Sequence, residues 1–152
     1  MRQALRTIAT VFILAVIINY PWELAHSPLY EGMSDFSLAS WHCFVASLGD
    51  GLLVLLIFGV GWAALRRRDW FVNPGRRGYL LMLAVGLVIG IVVEWAAVHV
   101  MGRWAYTQQM PMIPIFNIGL TPLAQMLALP PLIFRVVAFS HSGNVRDGRG
   151  GG

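Results

Sequence analysis

Four stretches of this chain are apolar over a length that water does not tolerate, and they leave few folds open. They run over about residues 7–24, 41–65, 79–101 and 113–138. Each approaches or exceeds the ~20 residues that cross ~30 Å of hydrocarbon. In lipid a segment must satisfy its own backbone, so four helices are the economical solution. Transmembrane strands would need alternating segments of ~10 residues, and nothing alternates here. With 57% hydrophobic residues in 152, the expected class is an all-α integral membrane protein. Its expected architecture is a four-helix transmembrane bundle over residues 1–140, with a disordered cytoplasmic tail over 141–152.

Charge placement predicts the orientation. The basic residues are eleven arginines, and lysine is absent. Arg2 and Arg6 precede the first segment. Arg66, Arg67, Arg68, Arg76 and Arg77 fill the turn between the second and third. Arg135, Arg146 and Arg149 close the chain, and Arg103 alone falls on the other side. Basic residues stay on the cytoplasmic side, so both termini are expected there, in the inner membrane of a bacterium. The high pI then reflects topology and contact with anionic lipid, and no basic folded surface is left for nucleic acid. The first segment resembles a signal peptide in its basic start and apolar run. Glu23 stands where a small residue is wanted for cleavage near Ala25, so an uncleaved helix is expected.

Against this apolar background the acidic residues stand out. Only seven exist, and Asp50 and Glu94 lie inside apolar runs. An ionisable group inside a membrane segment is a functional-site hypothesis by default. Counted from the expected start at Trp41, Asp50 lies roughly 13 Å in, and Glu94 lies roughly 10 Å from the end at Met101. The two carboxyls are therefore expected in one layer, about a third of the way in from the extracytoplasmic face. Glu23 and His26 reach the same end from the first segment, His42 and His99 form a shallower layer, and Arg103, Tyr106 and Asn117 arrive from the outer loop and the start of the fourth.

Three carboxyls, three of the four histidines and the one outer arginine thus converge on one end of a small bundle. A carboxyl in hydrocarbon must be paired or protonated, and two close acids supply a proton donor beside an acceptor. Asp50, Glu94 and Glu23 are the catalytic candidates. His42, His99, Arg103, Tyr106, Asn117 and Gln125 are the substrate-binding candidates. The same residues also fit a purely structural network, with Asp50 or Glu94 bonded to Arg103, Tyr106, Asn117 or Gln125. A metal is not expected as the primary site, although His26, His42 and His99 are ligand types for zinc, iron or copper. No pair among them has helical i,i+4 or HExxH spacing, and no specific cofactor is indicated. Cys43 is single, which excludes an internal disulfide.

Two further patterns concern packing. Gly86 and Gly90 precede Glu94 by eight and four residues, an interval that allows close helix approach. The fourth segment carries Pro122 and Pro130-Pro131, each of which removes a donor and frees a carbonyl one turn back. Asn117, Thr121 and Gln125 recur every four residues and predict a polar stripe beside those prolines. Pro21 is expected to end or distort the first helix.

Two functions fit these residues. One is a small membrane enzyme of isomerase, cyclase or hydrolase type, using acid–base chemistry on a lipid or isoprenoid-like substrate near the extracytoplasmic face. The other is a non-catalytic accessory or assembly subunit of a larger membrane complex, one able to bind a pigment or quinone.

Overall fold

The computed structural model describes residues 2–33 and 35–147, with side chains as far as Ser140. Helix α1 spans Arg2–His26, α2 Phe36–Leu65, α3 Gly75–Trp95 and α4 Leu120–Asp147. A π-helical turn, Ala96–Val100, extends α3. Four stretches, Arg2–Leu29, Phe36–Leu65, Gly75–Val100 and Leu120–Ser140, are long and apolar enough to cross a bilayer. The protein is a multi-pass four-helix membrane bundle. Its exposed faces carry Ile13, Ile17, Leu52, Leu56, Val88 and Leu132, as a bundle solvated by lipid requires.

Several boundaries differ from the sequence expectation, each for a local reason. Helix α2 starts five residues before Trp41 because Asp35 caps it, its carboxylate accepting from Leu38 N at 2.9 Å, one of the donors a helix start leaves open. Pro21 does not end α1, which continues to His26. The fourth helix does not begin at 113. Residues Met112–Ile113 and Ile118–Gly119 pair as a short antiparallel hairpin, and Asn117 takes a left-handed turn conformation at φ 52°. Pro122 therefore sits in the first turn of α4, where its missing N–H costs little. The tail expected over 141–152 falls partly on helix, since α4 reaches Asp147, and residues 148–152 lie outside the described set.

The core runs down the bundle axis through Val11, Ala15, Val54, Ile57, Met82, Met126 and Ile133. Close approach is made possible by glycine. Pro130 cannot donate to the carbonyl of Met126, and that carbonyl is turned against Gly86 of α3, where any Cβ would collide with it. Gly90 likewise leaves room for Leu123 Cδ1, and Gly51 for Phe12 of α1. The arginine-bearing end is closed by the turn after α2. Trp70 and Phe71 fold back into the core beside Phe58 and Phe134. The Trp70 indole donates to Phe58 O at 3.2 Å and lies where a side chain at Gly61 would be.

The opposite end is covered by residues 102–119. Glu31 N donates to Ala105 O at 3.0 Å and Thr107 N to Leu29 O at 2.9 Å, stitching this loop to the end of α1. Leu120 N donates to Pro111 O at 2.7 Å and ties the hairpin to the start of α4.

Candidate functional site

Beneath that cover, α1, α2 and α4 each contribute polar side chains to one point. Asn19 and Glu23 are one turn apart on α1, so they share a face. Gln125 enters from α4 and Asp50 from α2. The Gln125 Nε2 amide, with two hydrogens to donate, lies 2.9 Å from Asn19 Oδ1, 2.8 Å from Glu23 Oε1 and 2.8 Å from Asp50 Oδ2. Two acceptors on one nitrogen cannot be further apart than twice that bond, and the Glu23 and Asp50 carboxyls lie within hydrogen-bonding reach of each other. Asn19 is anchored in turn by its Nδ2 on Ala15 O at 2.8 Å. Asn19 and Gln125 are fully buried.

A second group is built around Glu94 of α3 and the loop cover. Glu94 of α3 is buried, and its Oε1 accepts from Tyr106 Oη at 2.5 Å and from Trp104 Nε1 at 3.2 Å. Tyr106 is positioned by Gly119 N, which donates to its oxygen at 3.0 Å. Both donors land on Oε1, and among the described residues none meets Oε2.

Aromatic rings join the two groups. Tyr30, paired through its backbone with Tyr106, packs its ring 5.4 Å from His26, 5.6 Å from Tyr106 and 6.2 Å from Trp104. Its hydroxyl is pushed well above the ordinary tyrosine range by burial and then by the Glu94 and Glu23 carboxyls. Burial, followed by the bond to Glu94, raises Tyr106 in the same way. His26 Nδ1 lies 2.7 Å from Trp22 O. A carbonyl only accepts, so Nδ1 carries the hydrogen, and the ring turns its Nε2 toward Glu23 Oε2 at 3.7 Å. Trp22 adds a buried indole N–H that has no hydrogen-bond partner among the described residues.

Of the carboxyls expected in one layer, Asp50 shares the Gln125 amide with Glu23, while Glu94 is bonded by Tyr106 and Trp104. The bonds Asp50–Gln125 and Glu94–Tyr106 match the expected network. His42 stands outside it, exposed, with Nδ1 on Leu38 O at 2.8 Å. Arg103 is exposed, and no ion pair of the described residues includes it. His99 donates from Nε2 to Asn117 O at 3.0 Å, fastening the π turn to the hairpin. Asn117 lies in the hairpin turn, so the four-residue stripe on α4 reduces to Thr121 and Gln125, and Thr121 Oγ1 meets Met110 Sδ at 3.3 Å. Among the described residues no three histidine, cysteine or acidic groups converge to hold a metal. His26, His42 and His99 each bond a backbone carbonyl instead.

Asn19, Tyr30 and Trp22 were not among the expected site residues. The spacing Asn19, Glu23, His26 is a polar stripe at helical intervals and is readable in the sequence. Tyr30 follows the helix in an irregular segment, where no periodicity marks it. Comparison with family models, curated proteins and solved structures gave no match to this chain.

Proposed function

We propose that this protein is a small membrane enzyme that carries out acid–base chemistry, of isomerase, cyclase or hydrolase type, on a lipid or isoprenoid-like substrate. The reaction takes place at the end of the bundle opposite the arginines, which the distribution of charge assigns to the extracytoplasmic side of a bacterial inner membrane. The observation that carries the reading is the meeting of Glu23 and Asp50 on one neutral amide, with no ion pair to an arginine among the described residues. The Gln125 nitrogen has two hydrogens for three surrounding oxygens. A proton held between the two carboxyls supplies the missing one, and such a pair can both give and take a proton.

In this scheme Glu23 and Asp50 are the acid–base pair, and His26 Nε2 receives or returns the proton at Glu23. Glu94, gripped on one oxygen by Tyr106 and Trp104, presents its other oxygen to the substrate. The Trp22 indole N–H supplies a further donor for a substrate oxygen, which accounts for a buried donor with no partner of its own. Asn117, His99 and Arg103 border the outer cover, where the polar end of an amphipathic substrate would rest.

The test compares membrane lipids from cells expressing the wild type, Glu23→Gln, Asp50→Asn or Glu94→Gln. Mass spectrometry of the extracts is expected to show a lipid species that appears or disappears with the wild type alone, while every variant unfolds near the wild-type temperature. Identical lipid profiles for the wild type and all three folded variants would overturn the enzyme reading. A second reading, an accessory subunit, is favoured by the open apolar groove between α1 and α2, lined by Val16, Ile17, Tyr20, Trp41 and Phe44. It requires a stoichiometric partner in mild detergent that substitutions in this groove release.

A further inference from the structure

A different part of the molecule, the arginine-bearing end, holds a cavity of about 210 Å³ between α1, α2 and the turn that joins α2 to α3. Its floor is apolar, from Ile8, Phe58 and Phe71, and its rim is polar, from Gln3, Arg68 and Asp69. We propose that this cavity binds an anionic phospholipid, with the phosphate on Arg68 and the upper part of an acyl chain over the apolar floor.

Three features carry the assignment. The first is place: the cavity lies where α1 begins and α2 ends, at the level where a spanning bundle meets lipid headgroups. The second is charge. Arg68 stacks its guanidinium 4.8 Å from the Trp62 ring, which holds the side chain ready at the rim. Arg66 and Arg67 lie on the same connecting segment, Arg76 and Arg77 in the first turn of α3, and Arg2 and Arg6 on the adjoining turns of α1. The acid at the rim, Asp69, is engaged by Arg67 Nε at 3.4 Å, so the field at Arg68 remains positive. A guanidinium matches phosphate oxygens with two parallel donors, and basic pockets between membrane helices bind anionic headgroups.

The third feature is the floor. Free phosphate would use the same guanidinium but has no use for Ile8, Phe58 and Phe71. A lipid uses both. The volume is below the ~300 Å³ of a pocket that encloses a whole drug-sized ligand, so the remainder of the chain lies along the bundle in the bilayer.

The full chain, purified in mild detergent, is titrated with phosphatidylglycerol or phosphatidylcholine and read by native mass spectrometry. Phosphatidylglycerol is expected to be retained in preference to phosphatidylcholine. Arg68→Gln is expected to weaken phosphatidylglycerol binding roughly fivefold, the effect of one basic residue near a headgroup. Arg77→Gln, outside the cavity, serves as the charge-matched control and changes binding less. Ala4→Phe fills the cavity without altering charge and is expected to weaken binding as well. Equal retention of the two lipids overturns the proposal, as does unchanged binding in both Arg68→Gln and Ala4→Phe. Release of the lipid by millimolar inorganic phosphate would reassign the site to free phosphate. Thermal unfolding of each variant separates loss of lipid from loss of fold.

Discussion

Gln125 holds three oxygens from two other helices through one nitrogen, which makes a single amide the junction of the polar network. Leucine at this position has similar bulk but no donor. It would strip Asn19, Glu23 and Asp50 of a shared partner. Leaving buried acceptors unmet costs roughly 1–3 kcal/mol, so Gln125→Leu is expected to lower the unfolding midpoint measurably, and an unchanged midpoint would deny the amide this role. The tyrosines give a second test. Tyr30 and Tyr106 are both raised, first by burial and then by neighbouring carboxyls. A group held protonated in the fold and released on unfolding contributes stability that is complete below its unfolded pKa of about 10 and is lost as pH rises beyond it. Denaturation followed against pH should therefore be insensitive to these two groups at neutrality and show falling stability above about pH 10. In the folded protein at pH 11 the tyrosinate absorbance of Tyr106→Phe should equal that of the wild type. A smaller signal in the variant would mean that Tyr106 ionises freely.

At the scale of elements, the pairing of α3 with α4 rests on a matched defect. Pro130 deprives the Met126 carbonyl of its helical donor, and Gly86 presents a bare Cα where that carbonyl emerges. A methyl group there has no space. Gly86→Ala is expected to force the helices apart at a cost of about 1–3 kcal/mol, measured by denaturant or thermal unfolding in detergent. Gly59→Ala, where nothing lies within 4 Å of the new atom, is the neutral comparison. If the two variants unfold alike, the contact has no energetic weight. The glycine spacing and the prolines were separately visible in the sequence, and both pointed to close packing and loosened backbone. Their complementarity was not, because sequence periodicity gives faces and not the register of one helix against another. The same limit explains the carboxyl pair. Depth counted along a helix predicts a layer and not a partner, and the residue that shares Gln125 with Asp50 is Glu23. The start of α4 was misplaced because hydropathy cannot tell an apolar hairpin from an apolar helix. Pro111, Pro114 and a left-handed Asn117 are what turn residues 112–119 into a hairpin. Trp70 and Phe71 sit within the arginine-rich turn, where hydropathy does not mark them, and they plug the bundle.

For the molecule as a whole, the constraint of hydrocarbon made the architecture legible, because it acts on composition and length before any contact is considered. The polarity of the bundle follows from the same source. Glu23, Asp50, Glu94, Tyr30, Tyr106 and the loop cover gather at one end, most of the arginines and the aromatic plug at the other, and the arginine bias predicts a cytoplasmic position for the second end. Cysteine accessibility tests that assignment directly. The chain has one cysteine, Cys43, and it is buried, so Cys43→Ser provides a clean background. Gln108 lies exposed in the loop over the carboxyl network and Asn73 lies exposed in the turn at the arginine end. In intact cells, Gln108→Cys is expected to react with a membrane-impermeant maleimide, and Asn73→Cys only after permeabilisation. The reverse pattern would invert the protein in the membrane. The four helices, the Gln125 network and the lipid cavity would survive such an inversion. The acid–base site would then draw its substrate from the cytoplasmic leaflet, and the cavity at Arg68 would face the outer one. Orientation is therefore the measurement that fixes which leaflet each site serves.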